Sequence, residues 1–523
     1  MLPELERSKT YKQTDNDFTS GLWHRPGRRQ NTYYAGENMS GEAYPALSSR
    51  PPRRTWLRLS DGVQGMFCSN DLYLACDGEL MRALSENRVE VLGNINTKPK
   101  VFAMLGNELL VLPDFKVYNT KTMLLKSRYV RLTLANVVVQ NENYVDEDGI
   151  ARAKKFNTLH CVDFNFRDYF SPGDGIMLAG TASNDGFYTI RSVEEFDLRF
   201  DENSFVAEDI ELCTITVTGP NLEGACTCED RIWGYRGNTI YASAPGQISN
   251  WFRYDGDEQS SYMQNVPNST AFTGCVMHQG HPVFFTDSSM AEIFGDSPAN
   301  FSIVQTCLSG VMSGSGASLC SVGGEMLYLS RNGVVRCSGS TATVISESLG
   351  LRLHDGIATT DGRRYYLSAV NEQDVRALYI YDTVTGAWHA EDGSKISYLG
   401  YLSGDVYAYC SDSVVYILGY DNTGHGTDMG AVSSYAELQP LIDDARGEIV
   451  PVRLGVRVRC AEDSELTLSV CYDDGEWEER AQLQSEGERV WYVPLLPRPC
   501  HKLGIRIDGK GDYSILSVTK EYK

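Results

Sequence analysis

Short runs of alternating apolar and polar residues fill most of the chain, and polar turn signals separate one run from the next. Residues 64–97 are typical, because their alternation is interrupted by Asn-Asp at 70–71 and by Asp-Gly at 77–78. Alternation over a few residues predicts a half-buried β-strand, and such polar pairs predict tight turns between antiparallel strands. The pattern therefore predicts an all-β fold made of small antiparallel sheets.

This strand–turn pattern recurs along the chain. Each copy begins with a strand of small residues, turns into a strand rich in aromatic residues, and turns again into a third strand. The copies are residues 64–97, 100–127, 224–245, 274–306, 316–347, 356–390 and 397–420. With one exception they follow each other at roughly the 40–50-residue period of β-propeller blades. We therefore predict a roughly seven-bladed β-propeller over residues 55–129 and 220–432, and interpret Trp233 and Trp251 as blade core.

The exception is the long interval between the second and third copies. Residues 130–219 fill it, and turn signals at 172–174 (Pro-Gly-Asp) and 184–186 (Asn-Asp-Gly) separate alternating strands of their own. A domain can be inserted into a surface loop at little cost when its two ends lie close together. We predict a small β-barrel here, inserted between the second and third blades.

The propeller pattern stops after Gly419. A run rich in Gly, Ser, Asn and Asp follows, and residues 449–523 then carry long alternating strands. Such strands, separated by turns, are typical of an antiparallel β-sandwich. We predict a C-terminal β-sandwich over residues 433–523.

Residues 1–54 differ in composition from the rest of the chain. They carry nine Lys or Arg against six Asp or Glu, in a protein whose net charge is −22. Their Pro, Gly, Asn and Ser content predicts an extended basic N-terminal arm, either solvated or lying on a neighbouring subunit. For the second alternative, the candidate subunit-contact residues are Arg25, Arg28, Arg29, Arg53 and Arg54.

A propeller must also protect the edges of its first and last blades. The strand-like segment Thr-Trp-Leu-Arg-Leu at 55–59 follows the arm directly. We predict that this segment pairs with the seventh blade and closes the propeller.

Composition narrows the classes of function. A net charge of −22 argues against tight gripping of DNA or RNA, whose phosphates need cations. No run of 18 apolar residues predicts a membrane span, and the N-terminus lacks the apolar region of a signal peptide. The 14 cysteines lie mostly within strand-like runs, which favours buried free thiols and a reducing compartment. We therefore expect a soluble chain made in a cytoplasm.

No catalytic pattern is complete. Gly-His-Gly-Thr around His425 resembles the histidine box of subtilisin-like proteases, but their nucleophile box is absent. His278 and His281 lack a third metal ligand nearby. Asp382 has the wrong spacing for the Asp-box of sialidases and is better interpreted as part of a hairpin turn, while Asp473 precedes an Asp-Gly pair, as turn residues do. We predict no active site, no metal and no cofactor, and expect the protein not to be an enzyme.

Three stretches carry a resemblance to a known family. They are "ENMSGEAYPALSSRPPRR" at 37–54, "RIWGYRGNTIYASAPGQISNWF" at 231–252 and "GIRIDGKGDYSILSVTKEY" at 504–522. Together with the propeller pattern between them, they resemble bacteriophage virion proteins of the packaged-DNA stabilisation and tail-hub (nozzle) type. The resemblance covers the whole chain in outline. The insert is similar to small barrels of phage connector and tail proteins, although it matches no fixed position in the family.

The resemblance implies a structural subunit of the phage tail ring that continues the DNA channel and helps to retain the packaged genome. The implied partners are other copies of the chain, in a ring expected to be sixfold, with the adaptor or portal above and other tail proteins below. DNA would pass without specific binding through a lumen lined mainly by Asp and Glu, and the arginines of the arm would point away from it. The expected location is the virion, after assembly in the bacterial host cytoplasm and without membrane contact.

Two other classes of function stay open. One is a carbohydrate-binding or glycan-hydrolysing propeller of a phage tail tip or bacterial surface, in which Trp233 or Trp251 would contact sugar or paired carboxylates would hydrolyse it. The other is a scaffold propeller of the host, which the absence of WD and kelch signatures disfavours.

Overall fold

The computed structural model describes residues 9–523 with short gaps, and within it the side chains of 141–145 and 151–156 are not described. The gaps are Arg28, Asp61, 146–150, 201–204, Thr218, Asp255, 268–269, 393–394, 420–431, Asp444, Arg446, Asp463 and Ser485. Two sequence-based expectations, the linker after Gly419 and the interpretation of His425, therefore lie outside the described residues.

The described chain is almost entirely β-structure, and it divides into two compact units. One unit comprises Ser60–Leu84 and Val89–Gly316, and the other comprises Met1–Leu59, Ser85–Arg88 and Ala317–Lys523. Five strands precede the first blade: β1 (Tyr11–Asp15), β2 (Tyr33–Glu37), β3 (Met39–Ser40), β4 (Leu47–Ser49) and β5 (Arg54–Arg58).

Blades one and two are four-stranded antiparallel sheets. Their strands are β6–β9 (Val63–Cys68, Leu72–Cys76, Glu79–Ser85, Arg88–Asn94) and β10–β13 (Val101–Leu105, Glu108–Leu112, Lys116–Asn119, Leu124–Ser127). Tyr73 in the second strand of blade one packs edge-on against Tyr118 of blade two, with ring centroids 6.2 Å apart. The aromatic residues of the repeated pattern thus fill the space between neighbouring sheets.

The insert is a closed six-stranded barrel with strand order β14-β15-β18-β17-β16-β19. Its strands are β14 (Arg131–Val145), β15 (Ala151–His160), β16 (Gly175–Ala179), β17 (Gly186–Val193), β18 (Asp197–Phe200) and β19 (Glu208–Val217). The two ends of the insert meet, because the Val217 N–H donates to the Val130 carbonyl at 2.7 Å. This closeness is the condition under which a domain can be inserted into a blade connection.

Blades three and four complete this unit, again as four-stranded antiparallel sheets. Their strands are β20–β23 (Gly224–Cys228, Arg231–Arg236, Thr239–Ala242, Tyr262–Asn265) and β24–β27 (Gly274–His278, His281–Phe285, Ser289–Phe294, Ser302–Cys307). Trp233 is buried against Phe284 and Phe301, and Trp251 is buried in a cluster shared with the barrel. Both tryptophans are therefore core residues, as predicted.

Blades five, six and seven belong to the second unit. Their strands are β28–β31 (Cys320–Val322, Glu325–Ser330, Gly333–Ser338, Thr341–Val344), β32–β35 (Leu353–Thr360, Arg364–Asn371, Arg376–Asp382, Ala387–Glu391) and β36–β38 (Tyr398–Leu402, Asp405–Tyr409, Val414–Leu418). Blade seven takes its fourth strand from β5, where Leu57 lies opposite Val415. The predicted pairing of residues 55–59 with the seventh blade is confirmed.

The C-terminal strands form the β-sandwich. They are β39 (Ser433–Leu438), β40 (Pro451–Cys460), β41 (Glu465–Tyr472), β42 (Glu478–Gln484), β43 (Gly487–Pro494), β44 (Leu503–Lys510) and β45 (Tyr513–Tyr522). One sheet has the order β3-β4-β45-β40-β43, with β1 also on β45, and the other has the order β2-β39-β44-β41-β42. The protein is thus an all-β, roughly seven-bladed β-propeller with an inserted small β-barrel and a C-terminal β-sandwich, which confirms the predicted fold class.

The N-terminal segment differs from the expected extended arm, because the structure builds it into these sheets. β1 runs antiparallel to β45, with Tyr11 opposite Tyr522, and β2 runs antiparallel to β39. Tyr33, Met39 and Leu47 are fully buried there. Their strands are only two to five residues long, too short for alternation to stand out from the polar and Gly-rich composition around them.

No described helix is long and apolar enough to cross a membrane. The helical structure in the described residues consists of three 3₁₀ turns, at Phe166–Asp168, Gly316–Ser318 and Glu347–Leu349.

Candidate functional site

Residues 37–54, one of the stretches that carry the resemblance, join the sandwich to blade six, and we call them the clamp segment. Asn38 is at its centre. Its side-chain amide donates to the Ser433 carbonyl at 2.8 Å, while its side-chain oxygen accepts from Arg50 and from the Asp392 N–H, both at 3.0 Å. Asn38 has φ 58°, a left-handed conformation that asparagine adopts more readily than most residues. One residue therefore holds a sandwich strand and a blade strand together.

Two arginines of the clamp segment form a buried ionic cluster with the end of blade six. Arg53 contacts Glu391 at 2.5 Å and Asp392 at 3.0 Å, and Arg50 contacts Asp392 at 3.3 Å. Burial by itself lowers the pKa of Arg53, but the Glu391 and Asp392 carboxylates outweigh it, so that the pKa is raised above its ordinary value. Arg53 is therefore a fixed positive charge that neutralises the buried Glu391 and the half-buried Asp392 of its own chain.

A buried histidine of blade six, His389, also contacts the N-terminal segment. The His389 ring lies between two tyrosine hydroxyls, with Nδ1 at 3.0 Å from Tyr33 Oη and Nε2 at 2.6 Å from Tyr44 Oη. Burial lowers the pKa of His389 to about 4, so the ring is neutral at pH 7. In that state one nitrogen donates to a tyrosine oxygen and the other accepts from a tyrosine hydroxyl. The space beside it, lined also by Asp382 and Arg364, has a volume of only about 10 Å³. It holds no substrate-sized cavity.

The other sequence-nominated residues take structural positions. The Asp382 carboxylate accepts from the Val384 and Thr385 N–H groups, which confirms that it belongs to a hairpin turn. Asp473 accepts from the N–H groups of His501 and Lys502, and both it and Asp474 have the positive φ of turn residues. Among the described residues, no group of three or more His, Cys, Asp or Glu side chains could hold a metal ion.

His278 and His281 flank a tight turn rather than sharing a face. They are the last pair of the β24–β25 hairpin, with Gln279 and Gly280 between them. His278 is buried, and burial lowers its pKa, whereas His281 is half-buried and stacks near Phe294. Their i, i+3 spacing therefore reflects the hairpin.

The five arginines nominated as subunit contacts fall into different environments. Arg53 is buried within its own chain, and Arg28 lies outside the described residues. Arg25 and Arg54 are exposed by 44% and 45%, although each pairs with a nearby glutamate, Glu347 and Glu86 respectively. Arg29 is exposed and lies 4.6 Å from the Trp23 ring. A subunit contact through Arg25, Arg29 and Arg54 stays a prediction, and Arg53 does not offer an exposed guanidinium for one.

The sandwich carries a shallow groove of about 480 Å³. Its charged lining residues are Arg457, Arg459 and Glu488, and the two guanidinium groups both bond the Glu488 carboxylate, which lowers the pKa of that carboxyl. The uncharged lining residues are half polar (Thr14, Asn16, Ser514 and Ser517) and half apolar (Ala43, Pro45, Ala46 and Leu516). The charged groups of the groove are thus already satisfied by one another.

Sequence reasoning missed the contacts of Asn38, Glu391, Asp392 and His389. Each depends on a partner more than 300 positions away in the sequence, as the separation of 338 residues between Arg53 and Glu391 illustrates. The one signal in the sequence was the stretch 37–54, which carries part of the resemblance but gives no indication of these contacts.

No protein family and no curated protein matches the sequence. Among solved structures, the chain is similar to an exo-β-1,3-galactanase from Phanerochaete chrysosporium, with 10% identity, a TM-score of 0.22, and 55% of this chain and 92% of that one covered. It is also similar to a bifunctional GH43-CE protein of Bacteroides eggerthii, with 11% identity, a TM-score of 0.20, and coverage of 56% and 62%. A further glycoside hydrolase shows 10% identity and a TM-score of 0.19, with coverage of 95% and 100%.

These similarities correct the expectation that the protein is not an enzyme, because the solved chains named above are glycoside hydrolases. That expectation depended on missing motifs. Glycoside hydrolysis needs two carboxylates brought together by the fold, and no short sequence motif reveals such a pair.

Proposed function

We propose that the protein is a structural subunit of a phage tail hub, in which copies form a ring that continues the DNA channel and helps to retain the packaged genome. The observation that carries the proposal is the clamp segment. Its residues are one of the two specific parts of the resemblance to phage hub proteins, and Asn38, Arg50 and Arg53 use their side chains to join sandwich to blade. Part of the resemblance therefore falls on residues that connect the domains.

Charge supports the same proposal. The protein has a net charge of −22, and residues 130–219 alone carry sixteen acidic against seven basic residues. An acidic wall repels DNA across a narrow passage, so the polyanion can move without forming the phosphate contacts that would hold it. A ring whose lumen is lined mainly by Asp and Glu suits that role.

Electron microscopy of the purified full-length chain over a range of concentrations tests the proposal. We expect rings with a central opening, and sixfold symmetry in the class averages. A density map should place Asp and Glu along the opening. Monomers at every concentration, or an opening lined by Lys and Arg, would contradict the proposal.

A glycan-binding or glycan-hydrolysing propeller of a phage tail tip or bacterial surface is the second candidate. Trp233 and Trp251 cannot contact sugar, because both are buried. The observation that favours this candidate is that each sheet of the sandwich exposes an aromatic residue, Tyr492 on the β43 sheet and Trp477 beside Gly504 of the β44 sheet, at 65% and 40% exposure. Exposed aromatic rings could stack on sugar rings.

A glycan array and a reducing-sugar assay on cell-wall polysaccharides separate the two candidates. Glycan binding that is lost in Trp477→Ala or Tyr492→Ala, or release of sugar by a protein that forms no rings, would favour the glycan-binding or glycan-hydrolysing function. Rings without glycan binding or sugar release would favour the hub.

A further inference from the structure

One end of the inserted barrel exposes a cluster of apolar side chains, which we call the barrel-end surface. It is formed by the loop 161–170 and the hairpin turn 194–197. Its exposed members are Val162, Tyr169 and Phe196, at 62%, 49% and 36% exposure. Single exposed apolar residues are common on proteins, but a cluster of them marks a surface that binds a partner.

The barrel-end surface is well ordered by backbone bonds. The Cys161 N–H donates to the Phe196 carbonyl and the Phe166 N–H donates to the Glu195 carbonyl, both at 2.9 Å. Within the loop, the Phe164 ring centroid is 5.3 Å from that of Phe166 and 5.0 Å from that of Tyr169. The loop and the turn therefore present one preformed surface, which lowers the entropy cost of binding.

The rim of this surface is mainly acidic. Asp163, Asp168 and Glu195 are exposed there, against one exposed cation, Arg167. The other two carboxylates of the turn already have partners. Asp197 is 2.7 Å from His160, and Glu194 is 3.1 Å from Arg199. A partner that covers the apolar cluster should therefore carry exposed positive charge around an apolar or aromatic centre.

The same chain contains such a partner surface in residues 23–27 and Arg29, which we call the basic loop. Arg25 and Arg29 are exposed, and Arg25 also lies 3.1 Å from the exposed Glu347. Trp23 is half-buried under Arg29, with the guanidinium 4.6 Å from its ring and its Nε1–H bonded to the Gly27 carbonyl at 3.1 Å. The backbone is anchored beside the loop, because the His24 N–H donates to the Ser348 carbonyl at 2.8 Å. The basic loop is thus a positively charged surface held in place by these bonds, and it contains an aromatic side chain, Trp23, and an exposed proline, Pro26.

We propose that the barrel-end surface of one copy binds the basic loop of the next copy. This inference rests on the proposed hub function and specifies how its ring is held together. The two surfaces differ, so the contact is heterologous: every copy offers one surface to each neighbour. Heterologous contacts generate a closed ring when the rotation between copies closes, which is the assembly that a hub requires.

Two charge-reversed proteins test the contact. In Arg25→Glu/Arg29→Glu both surfaces become acidic, and in Asp163→Lys/Glu195→Lys both become basic. Each protein alone should associate about tenfold more weakly than the wild type, or worse, because like charges then face each other. Mixed in equal amounts, the two proteins should recover rings of alternating composition, since each then offers the other a surface of opposite charge. Sedimentation velocity measures the ring fraction.

The matched control is Asp209→Lys/Glu211→Lys, which reverses two exposed acidic residues of strand β19 rather than of the barrel-end surface. It should leave ring formation unchanged, and circular dichroism should show all variants folded. Rings from either barrel-end or basic-loop variant alone, or a mixture that stays dissociated while the wild type forms rings, would overturn this inference and leave the hub proposal standing. A wild-type chain that never forms rings would overturn both.

Discussion

Arg53 and Arg54 are neighbours in the sequence, but their surroundings differ. Arg53 is 6% exposed beside a Glu391 that is 1% exposed, whereas Arg54 and its partner Glu86 are 45% and 47% exposed. Removing one member of a buried pair leaves an uncompensated buried charge, which typically costs about 3–5 kcal/mol, while an exposed pair contributes about 0–1 kcal/mol. We expect Arg53→Ala to lower the free energy of unfolding by the larger amount and Arg54→Ala by the smaller.

Urea unfolding of the two variants beside the wild type measures this difference. Equal and small losses would show that the Arg53 cluster does not hold blade six to the N-terminal segment.

His389 gives stability a pH dependence. Burial lowers its pKa from an ordinary 6.5 to about 4. The unfolded chain then binds a proton at a higher pH than the folded chain does, so the free energy of unfolding should fall as pH falls from about 6.5 to about 4. Asp174 acts in the opposite direction, because burial raises its pKa to about 6 and its protonation favours the folded state.

Comparing the wild type with His389→Gln isolates the histidine, since Asp174 is common to both. The loss of stability on acidification should be smaller in the variant across this window, by up to about 3 kcal/mol at pH 4. Parallel pH profiles of the two proteins would contradict a neutral buried His389.

What the sequence could predict at this scale depended on distance along the chain. The turn role of Asp382 was predictable, because its carboxylate bonds the N–H groups of Val384 and Thr385, two and three residues away. The hydrogen bonds of His389 were not predictable, because Tyr33 and Tyr44 are separated from it by 356 and 345 residues in the sequence. Proximity of that kind is created by the fold and leaves no local pattern.

At the scale of elements, the blades and the barrel were predictable because each is a run of strands joined by short turns. The strands β1–β4 were not. β1 and β4 pair with β45 and β2 pairs with β39, at the far end of the chain, and β3 joins this sheet only through β4. Their short length and polar surroundings resemble those of a loop. Sequence composition thus indicated an arm where the structure has sheet strands.

Strand β5 should be essential for the second unit. Removal of residues 1–60 takes away the fourth strand of blade seven and, with β1–β4, part of both sandwich sheets. We expect the truncated protein to melt at a much lower temperature or to aggregate, because strand edges and apolar faces become exposed. Removal of residues 1–10 is the control, since β1 begins at Tyr11. An unchanged melting temperature after the longer truncation would show that β5 is dispensable.

At the scale of the whole molecule, the net charge of −22 determines how the protein interacts with DNA. Binding to duplex DNA depends on cations that replace the counterions of the phosphates, and the affinity falls steeply with salt. We expect no retention of linear duplex DNA by the purified protein even at about 50 mM salt, the range in which nonspecific binders hold it. Tight, salt-sensitive binding in a filter or mobility-shift assay would contradict the hypothesis that DNA passes through the ring without being bound.

The pairing of β5 with β38 also determines when blade seven can be completed during synthesis of the chain. The ribosome releases β5 before any blade, but its partner Val414–Leu418 emerges only after all the other blades have been synthesised. Until then β5 has an unpaired edge, and β1 waits longer still for β45. Pairing between such distant segments is slow and leaves partly folded chains prone to aggregation. Nascent chains of this protein are therefore natural clients for chaperones that shield strand edges until synthesis is complete.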